Sequence, residues 1–172
     1  MSTFVLIEKY TVGAGGVSSV TLGSGGTLPQ TFTDLKIVMS TRCTTADANF
    51  SSVYYEFNGS TTSKTIRYLY GSGGATGSGN DTSMAIVLTS GNANTTASVF
   101  GNAEIYLPNY TGSNYKSSSA DGVSENNAST AYATLNANLW SNTAAITSIK
   151  LFYNAGNFAQ YSTFYLYGIL KA

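Results

Sequence analysis

The stretch Asp34-Leu35-Lys36-Ile37-Val38-Met39-Ser40 alternates strictly, with Leu35, Ile37 and Met39 on one side and Asp34, Lys36, Val38 and Ser40 on the other. A period of two belongs to a β-strand, whose successive side chains point to opposite faces. One face is apolar and the other mixed, the pattern of a strand with one side on a core. Working outward, similar runs predict strands near Phe4–Val12, Val17–Leu22, Thr33–Thr41, Ser52–Phe57 and Thr65–Tyr70. Further runs lie near Ser83–Thr89, Ala103–Leu107, Ala131–Leu139, Ser148–Tyr153 and Thr163–Leu170. Turn-forming clusters separate them: Gly13 to Gly16, Gly23 to Gly26, Asn58-Gly59, Gly71 to Gly79, Gly91 to Asn94 and Asn109 to Asn127. Gly and Asn accept positive φ, so such clusters reverse the chain at little cost.

One segment competes for helix, because Ala128, Ala131, Tyr132, Leu135 and Leu139 could share a helical face. The same residues also fit a strand in which Ala131, Ala133, Leu135, Ala137 and Leu139 alternate with Tyr132, Thr134, Asn136, Asn138 and Trp140. Asn is a poor helix former, which favours the strand. About ten short strands, evenly spaced, predict an all-β fold: an antiparallel two-sheet sandwich, jelly-roll-like. Residues 1–172 are expected to form a single domain, with Gly71 to Gly79 a long flexible loop rather than a linker.

Composition narrows the function. The chain has 23 Ser, 23 Thr, 15 Asn and 18 Gly among 172 residues, whereas charged residues make up 9%. A typical domain carries about 25% charged residues, so this surface is wetted by hydroxyls and amides. Thirteen Tyr, eight Phe and one Trp argue against disorder. Eight basic residues balance eight acidic ones, leaving no basic stripe to track phosphates, and nucleic-acid binding is not expected. The opening Phe4-Val-Leu-Ile7 run is shorter than a secretory apolar region of roughly 7–15 residues. No apolar stretch approaches the roughly 20 residues that span a bilayer as a helix. The expectation is synthesis in the cytoplasm without a signal peptide and no membrane insertion.

Histidine is absent, which excludes Ser-His-Asp and Cys-His nucleophilic arrangements and His-containing zinc sites. The lone Cys43 is read as a buried small hydrophobe. No glycine run ends in the Lys-Ser/Thr of a phosphate loop, so no cofactor is expected. Paired carboxylates could still hydrolyse glycosides, and Glu56 and Glu104 sit among strand aromatics. Alternation places Glu56 opposite Tyr55 and Phe57, facing solvent, and the expectation is no enzyme. Asp121, Glu125 and Asn126, or Asn80 and Asp81, offer oxygen ligands to calcium, but neither set fits an EF-hand. A turn-capping role for Asp121 before Gly122 is preferred.

The segment Asn109 to Asn127 is long for a sandwich connection and reads as a binding loop. Tyr110 and Tyr115 supply rigid contact area amid Ser, Gly and Asn, with Lys116 adjacent. Tyr110, Tyr115 and Lys116 are therefore the candidate ligand or receptor contacts. The pairs Tyr68/Tyr70 and Tyr165/Tyr167 each flank a leucine and are read as sandwich core or an inter-subunit surface rather than a carbohydrate platform.

Three stretches carry a resemblance: Phe4–Leu22 (FVLIEKYTVGAGGVSSVTL), Leu28–Arg42 (LPQTFTDLKIVMSTR) and Ile146–Ala172 (ITSIKLFYNAGNFAQYSTFYLYGILKA). Together they resemble small β-sandwich virion structural proteins of tailed bacteriophages, especially phages of aquatic bacteria. Thr33-Asp-Leu-Lys-Ile37 and Leu166-Tyr-Gly-Ile169 are the most specific parts, and the likeness covers about half the chain. These are framework strands, so the resemblance implies a fold and a virion setting and transfers no functional residue. It implies a non-enzymatic protein on the exterior of the particle, a capsid decoration protein or head fibre bound to the capsid protein. The alternative is a tail-fibre receptor-binding or carbohydrate-binding module contacting host surface glycans. A homo-oligomer is expected, a trimer by analogy with threefold capsid and fibre sites.

Overall fold

The computed structural model describes residues 3–23, 25–46, 50–127 and 130–170. Ser24 of the second glycine cluster and Ala128 of the discarded helical face lie outside them. The described residues form twelve strands: β1 (Phe4–Thr11), β2 (Ser19–Leu22), β3 (Asp34–Thr41), β4 (Phe50–Phe57), β5 (Lys64–Gly71), β6 (Thr76–Asp81), β7 (Ala85–Gly91), β8 (Gly101–Leu107), β9 (Lys116–Ser124), β10 (Tyr132–Trp140), β11 (Ile149–Phe152) and β12 (Thr163–Ile169). Each of the ten expected strands is present. Among the described residues no helix is long and apolar enough to cross a membrane.

Two antiparallel sheets form a sandwich. The larger has the order β1-β12-β3-β8-β9-β10-β5-β6, and the smaller β2-β11-β4-β7. Removing the β5–β6 and β9–β10 hairpins leaves β1-β12-β3-β8 over β2-β11-β4-β7. Counted along the chain, those eight strands run 1-8-3-6 and 2-7-4-5, which is the jelly roll. The two hairpins are insertions that lengthen one sheet at its β8 edge.

The deciding stretch behaves as its alternation dictates. In β3 the exposure pattern alternates residue by residue, with Leu35, Ile37 and Met39 buried. They meet Ile105 and Leu107 of β8, Phe164 and Leu166 of β12, and Val53, Tyr55, Phe57, Ile149 and Leu151 of the smaller sheet in one core. Trp140 closes one end, edge-on to Phe57 with ring centroids 5.8 Å apart. Burying side chains of this kind contributes about 1.5–3 kcal/mol each. Cys43 is buried, as expected.

Two expectations are corrected. Gly71 to Gly79 is not a flexible loop: residues 72–75 make a tight turn closed by Ser72 N–H to Ala75 O at 2.8 Å, and β6 follows. Asn109 to Asn127 is not one loop either, because β9 occupies Lys116–Ser124 in the middle of the larger sheet, between β8 and β10.

Strand β10 also runs against the usual sense of amphipathic alternation. Ala133, Leu135 and Ala137 face outward, and Asn136 and Asn138 are 1% exposed. The cause lies in β7, the edge of the smaller sheet, whose backbone groups need partners where strand pairing stops. Asn138 and Asn136 accept the Ala85 and Val87 N–H groups at 2.9 and 3.2 Å. Ser124 Oγ donates to Leu88 O at 2.7 Å from β9. Buried amides thus stitch the inserted hairpins to the edge of the jelly roll.

Candidate functional site

The three residues singled out as contacts are separated by burial. Tyr110 is 0% exposed, its hydroxyl donates to the Pro29 carbonyl, and burial raises its pKa. Lys116 is 1% exposed; Nζ donates to the Gly112 and Asn114 carbonyls at 2.6 Å each and to Thr143 O at 3.4 Å. Burial pushes its pKa down, while three carbonyl dipoles solvate the ammonium in place of water. Both residues brace the turn before β9 and are not surface contacts. Only Tyr115 of the three is open to a partner, at 60% exposure.

The carboxylates are not a pair. Glu56 stands on β4 of the smaller sheet and Glu104 on β8 of the larger. Glu56 was expected to face solvent but is 7% exposed, with Lys64 Nζ 3.2 Å from Oε1. The β4–β5 connection brings Lys64 over that face of the smaller sheet, which alternation within β4 alone could not reveal. Glu104 is held by Lys36 at 2.7 Å from the neighbouring strand. Each carboxylate is engaged by its own lysine.

Among the described residues no cluster of three or more His, Cys, Asp or Glu could hold a metal ion. Asp121 does not cap a turn: it lies within β9 opposite Leu135 and Glu104. Burial and the Glu104 charge raise its pKa, and Lys36 opposes them. Glu125 accepts from the Asn127 N–H at 2.7 Å and Asp81 from the Thr82 N–H at 2.6 Å, both as local turn contacts.

The tyrosine pairs divide. On β12 the core residues are Phe164 and Leu166, so Tyr165 and Tyr167 lie half-buried on the outer face, with Lys9 Nζ 5.4 Å from the Tyr165 ring centre. They are not sandwich core. On β5, Tyr68 and Tyr70 turn inward against β6, where their cross-strand partners are Gly79 and Gly77. A Cβ on either glycine would fall about 2.5 Å from a tyrosine Cζ, closer than carbon atoms approach. The Gly-Ser alternation of β6 therefore makes room for two rings, and Leu69 between them is left pointing outward.

That outward face is the broadest candidate surface. Leu69 and Leu135 are directly paired across β5 and β10 and are 59% and 57% exposed, with Val123 at 46% on β9. Leu69 and Leu135 border a shallow groove of about 610 Å³ that also takes in Arg67, Asn80, Ser119 and Ala137. The signal in the sequence is the placement of Leu69 between Tyr68 and Tyr70. If both rings turn inward, the leucine between them must face out.

No protein-family profile, curated protein or solved structure matches this chain.

Proposed function

We propose that the chain is a non-enzymatic structural protein of a bacteriophage virion, decorating or stabilising the capsid surface or forming a head fibre. The observation that carries this reading is the uncovered outer face of the eight-stranded sheet. Hairpins β5–β6 and β9–β10 widen a jelly roll into a surface on which Leu69, Leu135 and Val123 stand among Ser, Ala and Asn. Seven spacings between eight strands, at about 4.8 Å each, make a face roughly 34 Å across. Apolar side chains in such a face favour adhesion to another surface over catalysis. The engagement of Glu56 by Lys64 and of Glu104 by Lys36 supports the same view. The jelly roll is used by capsid and lectin domains, a likeness of fold alone.

The test is quantitative mass spectrometry of particles purified from an infected culture. Copies in proportion to the capsid lattice are expected. Absence from particles overturns the reading, and a handful of copies per particle moves the protein to the tail and overturns its capsid location. A charge placed by Leu135→Lys should lower occupancy on particles while leaving the isolated fold intact. Sedimentation equilibrium of the purified chain tests the accompanying proposal of a homo-oligomer, with a trimer expected.

A further inference from the structure

A second concave feature lies where the β5–β6 hairpin meets the smaller sheet. Its cleft of about 270 Å³ is lined by Tyr54 and Ser52 of β4, Tyr68 and Tyr70 of β5, Asp81, Ser83 and the β7 residues Val87 and Leu88. Small-molecule pockets begin at about 300 Å³, so the space suits a single ring of a larger ligand.

The rings are arranged as a platform. Tyr68 and Tyr70 are two residues apart on one strand, with centroids 6.4 Å apart and planes inclined by 30°. Gly79 and Gly77 back them, fixing their attitude. Tyr54 is stacked on Phe152 at 5.9 Å, which holds it against the smaller sheet. Burial first, then the charges of Asp81 and Tyr68, raise the Tyr54 pKa, so its hydroxyl stays protonated and able to donate.

The polar groups complement the rings. Asp81 is exposed, and Oδ1 accepts from the Thr82 N–H and hydroxyl. Among the described residues no lysine or arginine forms an ion pair with it. Ser52, Ser83 and the tyrosine hydroxyls add neutral donors and acceptors around the same opening.

From this geometry we infer that the cleft binds a pyranose ring of a neutral glycan, stacked on the Tyr68/Tyr70 platform with a hydroxyl donated to Asp81. The apolar C–H face of a sugar meets the negative face of an aromatic ring. Its equatorial hydroxyls need acceptors at the rim, which a carboxylate supplies with strong, charge-assisted bonds. A quaternary ammonium group would also use tyrosines and a carboxylate, but it is enclosed by rings set around it as a cage. Two rings side by side, their planes inclined by 30° and both backed by glycine, present a floor instead. The inference is independent of where the protein resides on a particle.

The experiment is an amide-resolved NMR titration of the full chain with four methyl pyranosides, those of glucose, galactose, mannose and N-acetylglucosamine, and with tetramethylammonium chloride. At least one sugar should give saturable shifts confined to the amides lining the cleft, those of Tyr68, Tyr70 and Asp81 together with Ser52, Tyr54 and Ser83. Tyr54→Ala should weaken that binding at least about tenfold, equivalent to about 1.4 kcal/mol. Asp81→Asn, at an exposed position where folding is not at stake, should weaken it several-fold. Leu135→Ala, in the groove on the opposite face of the sheet, should leave it unchanged. Failure of all four sugars to saturate overturns the inference, as do shifts that map to Leu69 and Leu135. Tighter binding of tetramethylammonium than of any sugar overturns it in favour of a cation site. These outcomes are separate from the copy number on particles.

Discussion

Asn138 Oδ1 accepts the Ala85 N–H at 2.9 Å while Asn138 Nδ2 donates to the Ala85 carbonyl at 3.2 Å. One carboxamide therefore satisfies both backbone groups of a residue on the edge strand β7, as a paired strand would. The contact joins an inserted hairpin to the jelly roll by side chain where no backbone ladder exists.

Asn138→Ala leaves a buried donor and acceptor without partners. Each unsatisfied group costs about 1–3 kcal/mol, so a loss of about 2–6 kcal/mol is expected in urea unfolding monitored by Trp140 fluorescence. Asn138→Asp should cost at least as much, because the acceptor survives but the donor is lost and a charge is buried.

Lys64→Met should be more damaging than Lys36→Met. The Glu56–Lys64 side chains are 10% and 8% exposed, whereas those of Glu104 and Lys36 are 39% and 27% exposed. Removing one partner of a buried pair costs about 3–5 kcal/mol, and an exposed pair contributes at most about 1 kcal/mol. The double variant Glu56→Met/Lys64→Met should recover most of the loss. Equal destabilisation by the two single variants would contradict this account.

Tyr55 and Tyr153 should resist alkaline titration. Both are buried, Tyr55 hydrogen-bonded to Ser118 Oγ at 2.8 Å and Tyr153 to Ser90 Oγ at 2.5 Å, and burial raises both pKa values well above the ordinary tyrosine value. Above pH 10 the unfolded chain releases these protons and the folded chain keeps them, so stability falls as pH rises from there. Absorbance at alkaline pH should show these two phenols ionising only together with loss of near-ultraviolet circular dichroism. Ionisation of all thirteen tyrosines before unfolding would sink the prediction.

Gly101→Ala should prevent stable folding, since a Cβ there would overlap the Thr89 carbonyl, where β8 passes β7. Gly74→Ala, with nothing within 4 Å, should melt within a few degrees of the parent. Thermal unfolding of the two variants compares a position fixed by backbone approach with one fixed only by its place in a turn.

Strands such as β3 are legible because their inward positions carry large apolar residues, as Leu35, Ile37 and Met39 do, whereas β10 is legible through the apolar Ala133, Leu135 and Ala137 of its outward face. Strands β6 and β9 were illegible for one reason: small residues occupy their inward positions. In β9 these are Ser118, Ala120, Gly122 and Ser124, where β7 comes so close that a Cβ on Gly122 would meet the Thr89 side chain. In β6 they are Gly77 and Gly79, beneath tyrosines. Side-chain size alternates with a period of two over Ala120–Ser124 and Thr76–Gly79, but hydrophobicity does not follow it. Missing β9 turned Tyr110 and Lys116 into apparent loop contacts. Missing β6 hid the cleft, because Tyr68, Tyr70 and Asp81 converge only once the hairpin exists. The burial of Glu56 depended on a lysine eight positions away and had no signature within its own strand.

The packing of Tyr68 on Gly79 and of Tyr70 on Gly77 also constrains descent. Neither member of a pair can drift alone: a larger residue at 79 collides with the ring at 68, and a smaller one at 68 leaves the glycine bare. Lineages sharing this hairpin should exchange the two partners in concert, so that linked substitutions at 68 with 79 and at 70 with 77 mark it even where overall sequence likeness has faded.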